Sequence, residues 1–196
     1  MPPFDWYEEV PAVTPLMQGD IVDDCPLLRF RDRPWEPAGA GDLVDALTQA
    51  AGVERVRAVV MTQACDLAQK KVRDAVLCPV EPLDGYRLTL EHAARAKGQK
   101  VTADSWRKQF DELRQGKVWS ASLLERCGPP GGTERMLRVV VHFSRVHSLP
   151  VAFLESWLVN AGASRVRLLP PYREHLSQAF ARFFMRVGLP QDIVGQ

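Results

Sequence analysis

The sequence predicts an α+β fold, in which a small, strongly bent and mostly antiparallel sheet or barrel is joined by a helical insertion and a C-terminal amphipathic helix. Short apolar runs rich in β-branched residues recur between turn signals along most of the chain. Residues 86–116 change to helical spacing, and residues 171–188 carry a wide apolar stripe at helical spacing. The length of 196 residues suits one domain with an insertion or two small domains, and we predict a single domain spanning residues 1–196.

Composition and charge narrow the classes of function. Apolar residues make up 46% of the chain and charged residues 25%, as in ordinary folded proteins. The formal net charge of +1 provides no global field that would draw the protein onto nucleic acid or an anionic membrane. Any contact with nucleic acid must therefore come from a local basic patch.

The N-terminal segment and the hydropathy pattern predict a cytoplasmic protein that does not enter a membrane. No apolar stretch approaches the ~20 residues needed to span a bilayer. The opening stretch MPPFDWYEEV is acidic and lacks the basic region and apolar run of a signal peptide. Prolines recur through residues 1–17, which we expect to form an extended N-terminal arm.

The first half of the chain predicts strands, a loop, a helix and a β-hairpin. The stretch GDIVDDCPLLRF, at residues 19–30, forms one strand or two paired strands. A Pro- and Gly-rich loop leads to a helix at residues 42–52, which Gly52 ends. Residues 55–62 and 72–80 are strands, and the stretch QACDLAQKK between them is the exposed tip of a hairpin.

The second half predicts helices around two further strands. The helices at residues 86–116 interrupt a strand-rich chain, so we interpret them as an insertion. The strongest strand signal spans residues 136–150, and a helix closed by Gly162 follows it. After a short strand at residues 164–171, the last helix presents one apolar stripe that can be buried. The stripe consists of Leu176, Ala179, Phe180, Phe183, Phe184 and Val187.

The four cysteines predict reduced thiols rather than disulfides or a metal centre. No two of them form a C-x-x-C pair, and a cytoplasmic protein keeps its thiols reduced. Cys25 and Cys78 lie in apolar stretches and are expected to pack as small hydrophobic residues. Zinc would need about four ligands, and the spacing of Cys65, His142 and His147 does not indicate a cluster. We therefore expect no metal and no cofactor.

Five stretches, in this order along the chain, resemble the PemK/MazF-like toxins. They are GDIV, RAVVMTQ, AVLCPV, VVVHFSRVHSLP and the C-terminal helix, and in pieces they cover about half of the chain. The resemblance implies an SH3-like barrel that forms a dimer and cuts single-stranded RNA without a metal. It also implies a protein partner such as an antitoxin.

The resemblance further implies a catalytic set around the strand RVRAVVMT. In the family an arginine begins this strand and a Ser or Thr ends it, and Thr62 matches the second position. Val56 occupies the arginine's position, with Arg55 and Arg57 on either side. We predict that Arg57 stabilises the phosphorane, that Thr62 positions the phosphate and that Asp66 is the general base. Alternatively, these side chains decorate a strand and satisfy local backbone groups.

The stretch LLRFRDRPW predicts a surface that holds the RNA strand. Arg29, Arg31 and Arg33 alternate, so a continuing strand projects them from one face. Trp35 follows them and can stack a base while the guanidinium groups bind phosphates. Gln63, next to Thr62, completes the predicted substrate-binding set. The alternative interpretation is a strand edge that its charges protect from association.

Two other classes of function remain open. Cys65, at the corner between strand and loop, is a candidate nucleophile if His142 or His147 activates it, which would make the protein a cysteine-dependent hydrolase. Alternatively, the protein is a non-catalytic adaptor or structural subunit of a bacterial toxin–antitoxin-like or antiviral defence complex. The proline-rich arm and the C-terminal helix suit docking to a protein partner or to a second copy of the chain.

Overall fold

The structure of the protein, a computed structural model, describes residues 6–30, 43–128 and 136–185. Within these ranges the chain forms eight β-strands and six α-helices, and the strands pair in an open antiparallel sheet. The strands are β1 (Tyr7–Val10), β2 (Asp20–Phe30), β3 (Ala51–Val60), β4 (Asp74–Pro82), β5 (Ala121–Leu124), β6 (Val139–His142), β7 (His147–Pro150) and β8 (Arg165–Leu168). The helices are α1 (Leu43–Ala50), α2 (Ala64–Ala68), α3 (Leu83–Ala96), α4 (Ala103–Arg114), α5 (Val151–Ala161) and α6 (Tyr172–Phe184).

The predicted mixture of helices with an antiparallel sheet is confirmed. No pairing among the described strands closes the sheet into a barrel. Helices α3 and α4 fall in the stretch predicted to be helical, and α6 is the predicted C-terminal helix. The interpretation of α3 and α4 as an insertion stays a prediction, as does the single domain over residues 1–196.

Two compact units divide the chain. The sheet unit contains Glu9–Val80 and Arg145–Arg167, and the helical unit contains Met1–Glu8, Glu81–Ser144 and Leu168–Gln196. Each unit encloses its own cluster of buried apolar side chains. Each therefore has a hydrophobic core of its own.

The sheet unit contains an antiparallel array in the order β8-β2-β3-β4-β7. Its central pair, β2 and β3, stays hydrogen-bonded as far as Phe30. Among the described residues of β2, only Asp20 and Ile21 pair with β8. On the other side of the central pair, β3 pairs with β4 through Ala58, Val59 and Val60. The far ends of β2 and β3 therefore continue as a two-stranded ribbon, which we call the distal ribbon (residues 25–30 and 51–56).

A bulge in β2 sets which side chains face the core of the sheet unit. The register shifts between Val22 and Cys25, and Asp24 adopts a left-handed φ of 50° there, which Asp tolerates better than most residues. In an unbroken strand, residues three apart point to opposite faces. Because of the bulge, Val22 and Cys25 both enter the same buried cluster.

Helix α5 covers this core. Its Leu154 and Leu158 are buried in the same cluster as alternate residues of the central strands. These alternate residues are Ala58 and Val60 of β3 and Ala75 and Leu77 of β4. Gly162 ends α5 in a left-handed conformation with a φ of 60°, as the sequence predicts.

A buried cluster of charges joins β8 to the start of β2. Asp20 is 0% exposed, and Arg165 and Arg167 are 1% and 7% exposed. Arg165 Nε donates to Asp20 Oδ2 at 2.8 Å, and Arg167 Nε donates to Asp20 Oδ1 at 2.5 Å. Further guanidinium N–H groups donate to carbonyl oxygens in the segment 11–15 at 2.7–3.1 Å. The three side chains thus hold the segment before β2 against β2 and β8.

The helical unit is built on the antiparallel β5–β6 hairpin. Tyr86 of α3 and Leu113 of α4 are buried together with Ala121 of β5 and Val140 of β6. A capping box begins α4: Thr102 Oγ1 accepts from Ser105 N at 3.1 Å, and Ser105 Oγ accepts from Thr102 N at 2.8 Å. These contacts fix both helices against the hairpin.

Helix α6 belongs to the same unit and packs through part of its predicted stripe. Leu176 is buried. Phe180 and Phe183 contact Phe143, which follows β6, with ring centroids 5.7 and 6.3 Å apart. Phe184 is 54% exposed, so the stripe is only partly buried.

The structure differs from the sequence prediction at four points. Residues 136–150 form two strands, β6 and β7, because the stretch Ser144-Arg145 falls in a turn between them. Helix α1 ends at Ala50, so Gly52 lies in β3 instead of ending the helix. The connection between β3 and β4 contains the short helix α2, and the N-terminal arm contains β1.

Replacing Asp20 by Asn should lower the free energy of unfolding by about 3–5 kcal/mol, because two buried guanidinium groups lose their counter-charge. Glu54→Gln is the matched control: it breaks an ion pair with Arg29 whose side chains are 49% and 43% exposed, and should cost no more than about 1 kcal/mol. Urea denaturation followed by circular dichroism measures both. Equal stabilities of the two variants would contradict the structural role of Asp20.

Candidate functional site

Thr62, the predicted phosphate-positioning residue, is buried just after the end of β3. Only 9% of the residue is exposed. Its Oγ1 accepts a hydrogen bond from Val76 N of β4 at 2.6 Å, while the preceding carbonyl, of Met61, accepts from Gln18 Nε2 at 3.1 Å. The Thr62 hydroxyl therefore serves as an acceptor at the end of the β3–β4 ladder, where it satisfies a backbone N–H group.

Cys65 and Asp66 lie at the tip beyond Thr62, on the short helix α2. Cys65 is exposed, and its Sγ is 3.7 Å from both Gln63 Oε1 and Asp66 Oδ1, within the range of weak hydrogen bonds to sulfur. Asp66 N donates to the Gln63 carbonyl at 3.1 Å, and Lys71 N donates to the Asp66 carbonyl at 2.9 Å. The tip is thus exposed at Gln63 and Cys65, whereas Thr62 is covered.

Arg57, the predicted phosphorane-stabilising residue, pairs with Asp23 in the β2 bulge. Alternation along β3 puts Arg57 on the face of Val59, opposite to the face of Ala58. Thr62 lies five positions further on, roughly 16 Å along an extended chain. Among the described residues, no hydrogen bond or ion pair joins Arg57 to Thr62 or Asp66.

Arg29, from the predicted substrate-binding set, lies on the distal ribbon. Its Nη1 donates to both carboxylate oxygens of Glu54, at 2.8 and 3.0 Å. The other predicted members of that stretch, Arg31, Arg33 and Trp35, lie outside the described residues. Of the predicted substrate-binding residues, Arg29 and Gln63 therefore lie in the described part of the chain.

An arginine–aromatic stack on the sheet unit was missed by the sequence reasoning. The guanidinium carbon of Arg55 lies 5.4 Å from the centre of the Trp157 ring on α5. Trp157 stacks on Phe153, one turn earlier, with 6.5 Å between ring centroids and 25° between the planes. The spacing of the two aromatic residues in VAFLESW was a readable signal, but their meeting with Arg55 depends on how α5 packs on the sheet.

His147 lies within reach of the charges of Arg29 and of Arg145, a second exposed arginine. Burial lowers the pKa of His147 below its ordinary value of 6.5, and the positive charges of Arg145 and Arg29 lower it further, while Glu54 acts in the opposite direction. His147 therefore favours its neutral form at neutral pH. Arg145 is exposed and forms no ion pair with a described residue.

Cys65 and His142 have separate hydrogen-bond partners in the described structure. Among the described residues no histidine contacts Cys65, and His142 Nε2 lies 2.6 Å from Glu81 Oε1 in the helical unit. Burial raises the pKa of Cys25 to about 11 and that of Cys78 to about 12, so both thiols stay protonated at neutral pH. The assignment of Cys65 as a nucleophile stays a prediction.

In residues 6–30, 43–128 and 136–185, no three side chains of His, Cys, Asp or Glu gather in a way that could hold a metal ion. Over the same ranges, no helix has both the length and the apolar character needed to cross a bilayer.

Comparison with protein-family models, with curated proteins and with solved structures finds no match to this chain. The function must therefore be argued from the residues of the chain itself.

Thr62 also provides a test of the packing role. Thr62→Val should lower the free energy of unfolding by about 1–3 kcal/mol, because the Val76 N–H loses its acceptor. Thr62→Ser keeps the hydroxyl and should retain most of the stability. Urea denaturation measures the free energy of unfolding of the parent and the two variants. A Thr62→Val protein as stable as the parent would contradict the packing role and leave the hydroxyl free for another role.

Proposed function

We propose that this protein binds single-stranded RNA through a basic-aromatic surface of the sheet unit. The surface consists of Arg29, Arg55, Arg145, Phe153 and Trp157. The observation that carries the proposal is the stack of Arg55, Trp157 and Phe153, in which a guanidinium group lies over an indole ring that itself lies beside a second ring.

This combination of side chains suits a single strand because it meets both parts of a nucleotide. Bases stack on aromatic rings whatever their sequence, and arginine contributes both cation–π contacts and hydrogen bonds to phosphate. Phe153 is 44% exposed, so a base can reach the end of the aromatic stack. In the folded protein an arginine held over the ring is also partly ordered before binding, which lowers the entropy cost of association.

Local charge supports an anionic ligand although the whole chain is nearly neutral. Arg145 is exposed, and its charge and that of Arg29 both act on His147. Glu54 offsets the charge of Arg29 in part, through an exposed ion pair that phosphate can exchange for its own contacts. Glu54 and Arg55 are neighbours in β3, so the ion pair and the stack both start from the distal ribbon, although alternation directs the two side chains to opposite faces of the strand.

The proposal has two more specific parts. One is that the protein cleaves RNA, and the other is that it belongs to the PemK/MazF-like group and has an SH3-like barrel. Their support is the order of the five resembling stretches along the chain. Thr62 offers cleavage no support, since its hydroxyl is engaged with Val76 N. We therefore place RNA binding first and metal-independent cleavage second. A cytoplasmic location agrees with such a ligand.

Fluorescence anisotropy with a labelled single-stranded RNA tests the proposal. Trp157→Ala should weaken binding by about 1–3 kcal/mol, the usual contribution of one stacked base. Arg145→Gln should weaken binding and reduce the slope of log K against log salt by about 0.7, the value for one lost phosphate contact to a single strand. A denaturing gel of the same mixtures, with chelator present, reports any cleavage.

Arg107→Gln is the matched control for charge. Arg107 is 73% exposed on α4, in the helical unit, and its loss changes the net charge by the same amount. It should leave the affinity and the salt slope unchanged. Equal effects of Arg145→Gln and Arg107→Gln, or no effect of Trp157→Ala, would remove the proposed surface.

A second candidate function, self-association as part of a larger assembly, is favoured by exposed apolar side chains. On the distal ribbon, Leu28 and Val53 are cross-strand partners and are 56% and 68% exposed, and Phe30 is 54% exposed. No residue of α1 is buried. Such a surface marks an interaction site.

The occupant that we propose for this surface is a second copy of the chain. Along residues 25–30, β2 has a hydrogen-bonded neighbour on one side only among the described strands. An open antiparallel edge can pair with its own copy about a two-fold axis, and the opposite charges of Arg29 and Glu54 lie at the same end of the ribbon. A dimer of this kind also fits a subunit of a defence or toxin–antitoxin-like complex.

Analytical ultracentrifugation over a range of concentrations tests the dimer. Val53→Glu should abolish a concentration-dependent dimer, because the carboxylate would be buried without a partner. Val13→Glu is the control, since Val13 is 76% exposed in the same unit but outside the ribbon. A parent protein that stays monomeric at all concentrations would contradict the second candidate and leave RNA binding untouched.

A further inference from the structure

The helical unit contains an apolar pocket that neither proposed function uses. Its volume is about 350 Å³, within the roughly 300–1,000 Å³ range of small-molecule sites. The apolar part of its lining comes mainly from Val118, Trp119, Ala179 and Met185. Trp119 and Met185 are 54% and 76% exposed, so their side chains remain accessible to a ligand.

The pocket results from three elements that end near one another. After α4, Gly116 turns the chain with a φ of 65°, a conformation that suits glycine. The chain then passes through Val118 and Trp119 into β5, which is an edge strand of the described sheet. The last two turns of α6 supply Ala179 and Arg182. Since β5 has no neighbouring strand on its outer side among the described residues, the space beside it stays open.

The polar groups of the pocket are positively charged or able to donate a hydrogen bond. Lys117 and Arg182 both line it. Neither forms an ion pair with a described residue, and the Ser122 hydroxyl, also in the lining, makes no hydrogen bond within the described residues. Among the described residues, no acidic side chain is in the lining to offset the two cations.

We propose that this pocket binds a small amphipathic carboxylate, with its apolar body against Trp119 and Val118 and its carboxylate at Lys117 and Arg182. The apolar lining excludes a highly charged ligand such as a nucleotide, because most of its surface would lose water without gaining a polar partner. Within the described lining the only charged side chains are the two cations, which favours a carboxylate over an amine. Arginine matches the planar carboxylate with parallel hydrogen bonds, and Ser122 provides a further donor. The site is independent of RNA binding, since all of its residues belong to the helical unit.

Titration calorimetry of the full chain with octanoate tests this site. Octanoate should bind with one-to-one stoichiometry and at least tenfold more tightly than octylammonium, which has the same apolar body and the opposite charge. Quenching or enhancement of tryptophan fluorescence should accompany binding and should be lost in Trp119→Phe. Absence of saturable binding, or equal affinity for the two octyl compounds, would overturn the proposal.

Two matched pairs of variants locate the site. Ala179→Leu fills the pocket and should reduce octanoate affinity at least tenfold, whereas Ala181→Leu, on the exposed side of the same helix, should not change it. The double variant Lys117→Gln, Arg182→Gln should remove the preference for octanoate, and the double variant Arg107→Gln, Lys108→Gln on α4 should keep it. If Ala179→Leu does not fold, the two charge variants decide. Equal behaviour within the charge pair would overturn the site.

Discussion

The buried contact of Asp20 with Arg165 and Arg167 is the constraint on which the sheet unit depends. One carboxylate faces two guanidinium groups at a depth where all three are shielded from water. A charge removed from water is tolerated only when it is paired and its remaining hydrogen-bonding groups are satisfied. Here the excess positive charge is met by carbonyl oxygens of the segment 11–15. The segment before β2 can therefore adopt only the path that brings those carbonyls to the two arginines.

The rest of the sheet unit follows from this anchoring. Gln18 lies just before Asp20 and reaches the carbonyl of Met61, while Gly19 N donates to the Val60 carbonyl at 2.9 Å. The end of β3 is thus occupied by contacts to the anchored segment and to β4. A covered strand end is a poor location for catalysis on a polymer. The exposed chemistry of the unit lies instead at the far end of the same strand, where Arg55 meets the aromatic residues of α5.

Part of the candidate site was within reach of the sequence, whereas the meeting of its distant members was not. Arg29 and the exposed tip at Cys65 lie where local patterns predicted, because alternation and turn signals act over a few residues. Arg57 and Thr62 lie five positions apart, and each side chain has another partner, Asp23 for Arg57 and Val76 N for Thr62. The stack of Arg55 on Trp157 joins residues about a hundred positions apart. No pattern within a short stretch of sequence predicts such a pairing.

The sequence by itself determined the class of the fold, the limits of most strands and helices, the packing of Cys25 and Cys78, and the left-handed end of α5 at Gly162. These features depend on the spacing of apolar residues and on the backbone preferences of single residues, which are properties of short stretches. Only the tertiary structure decided that the strands leave the sheet open, that Thr62 is covered, that Asp20 is buried between two arginines, and that a pocket opens beside Trp119. Each of these features depends on which distant segments pack against one another. The free energy that favours one packing over another comes from contacts throughout the core.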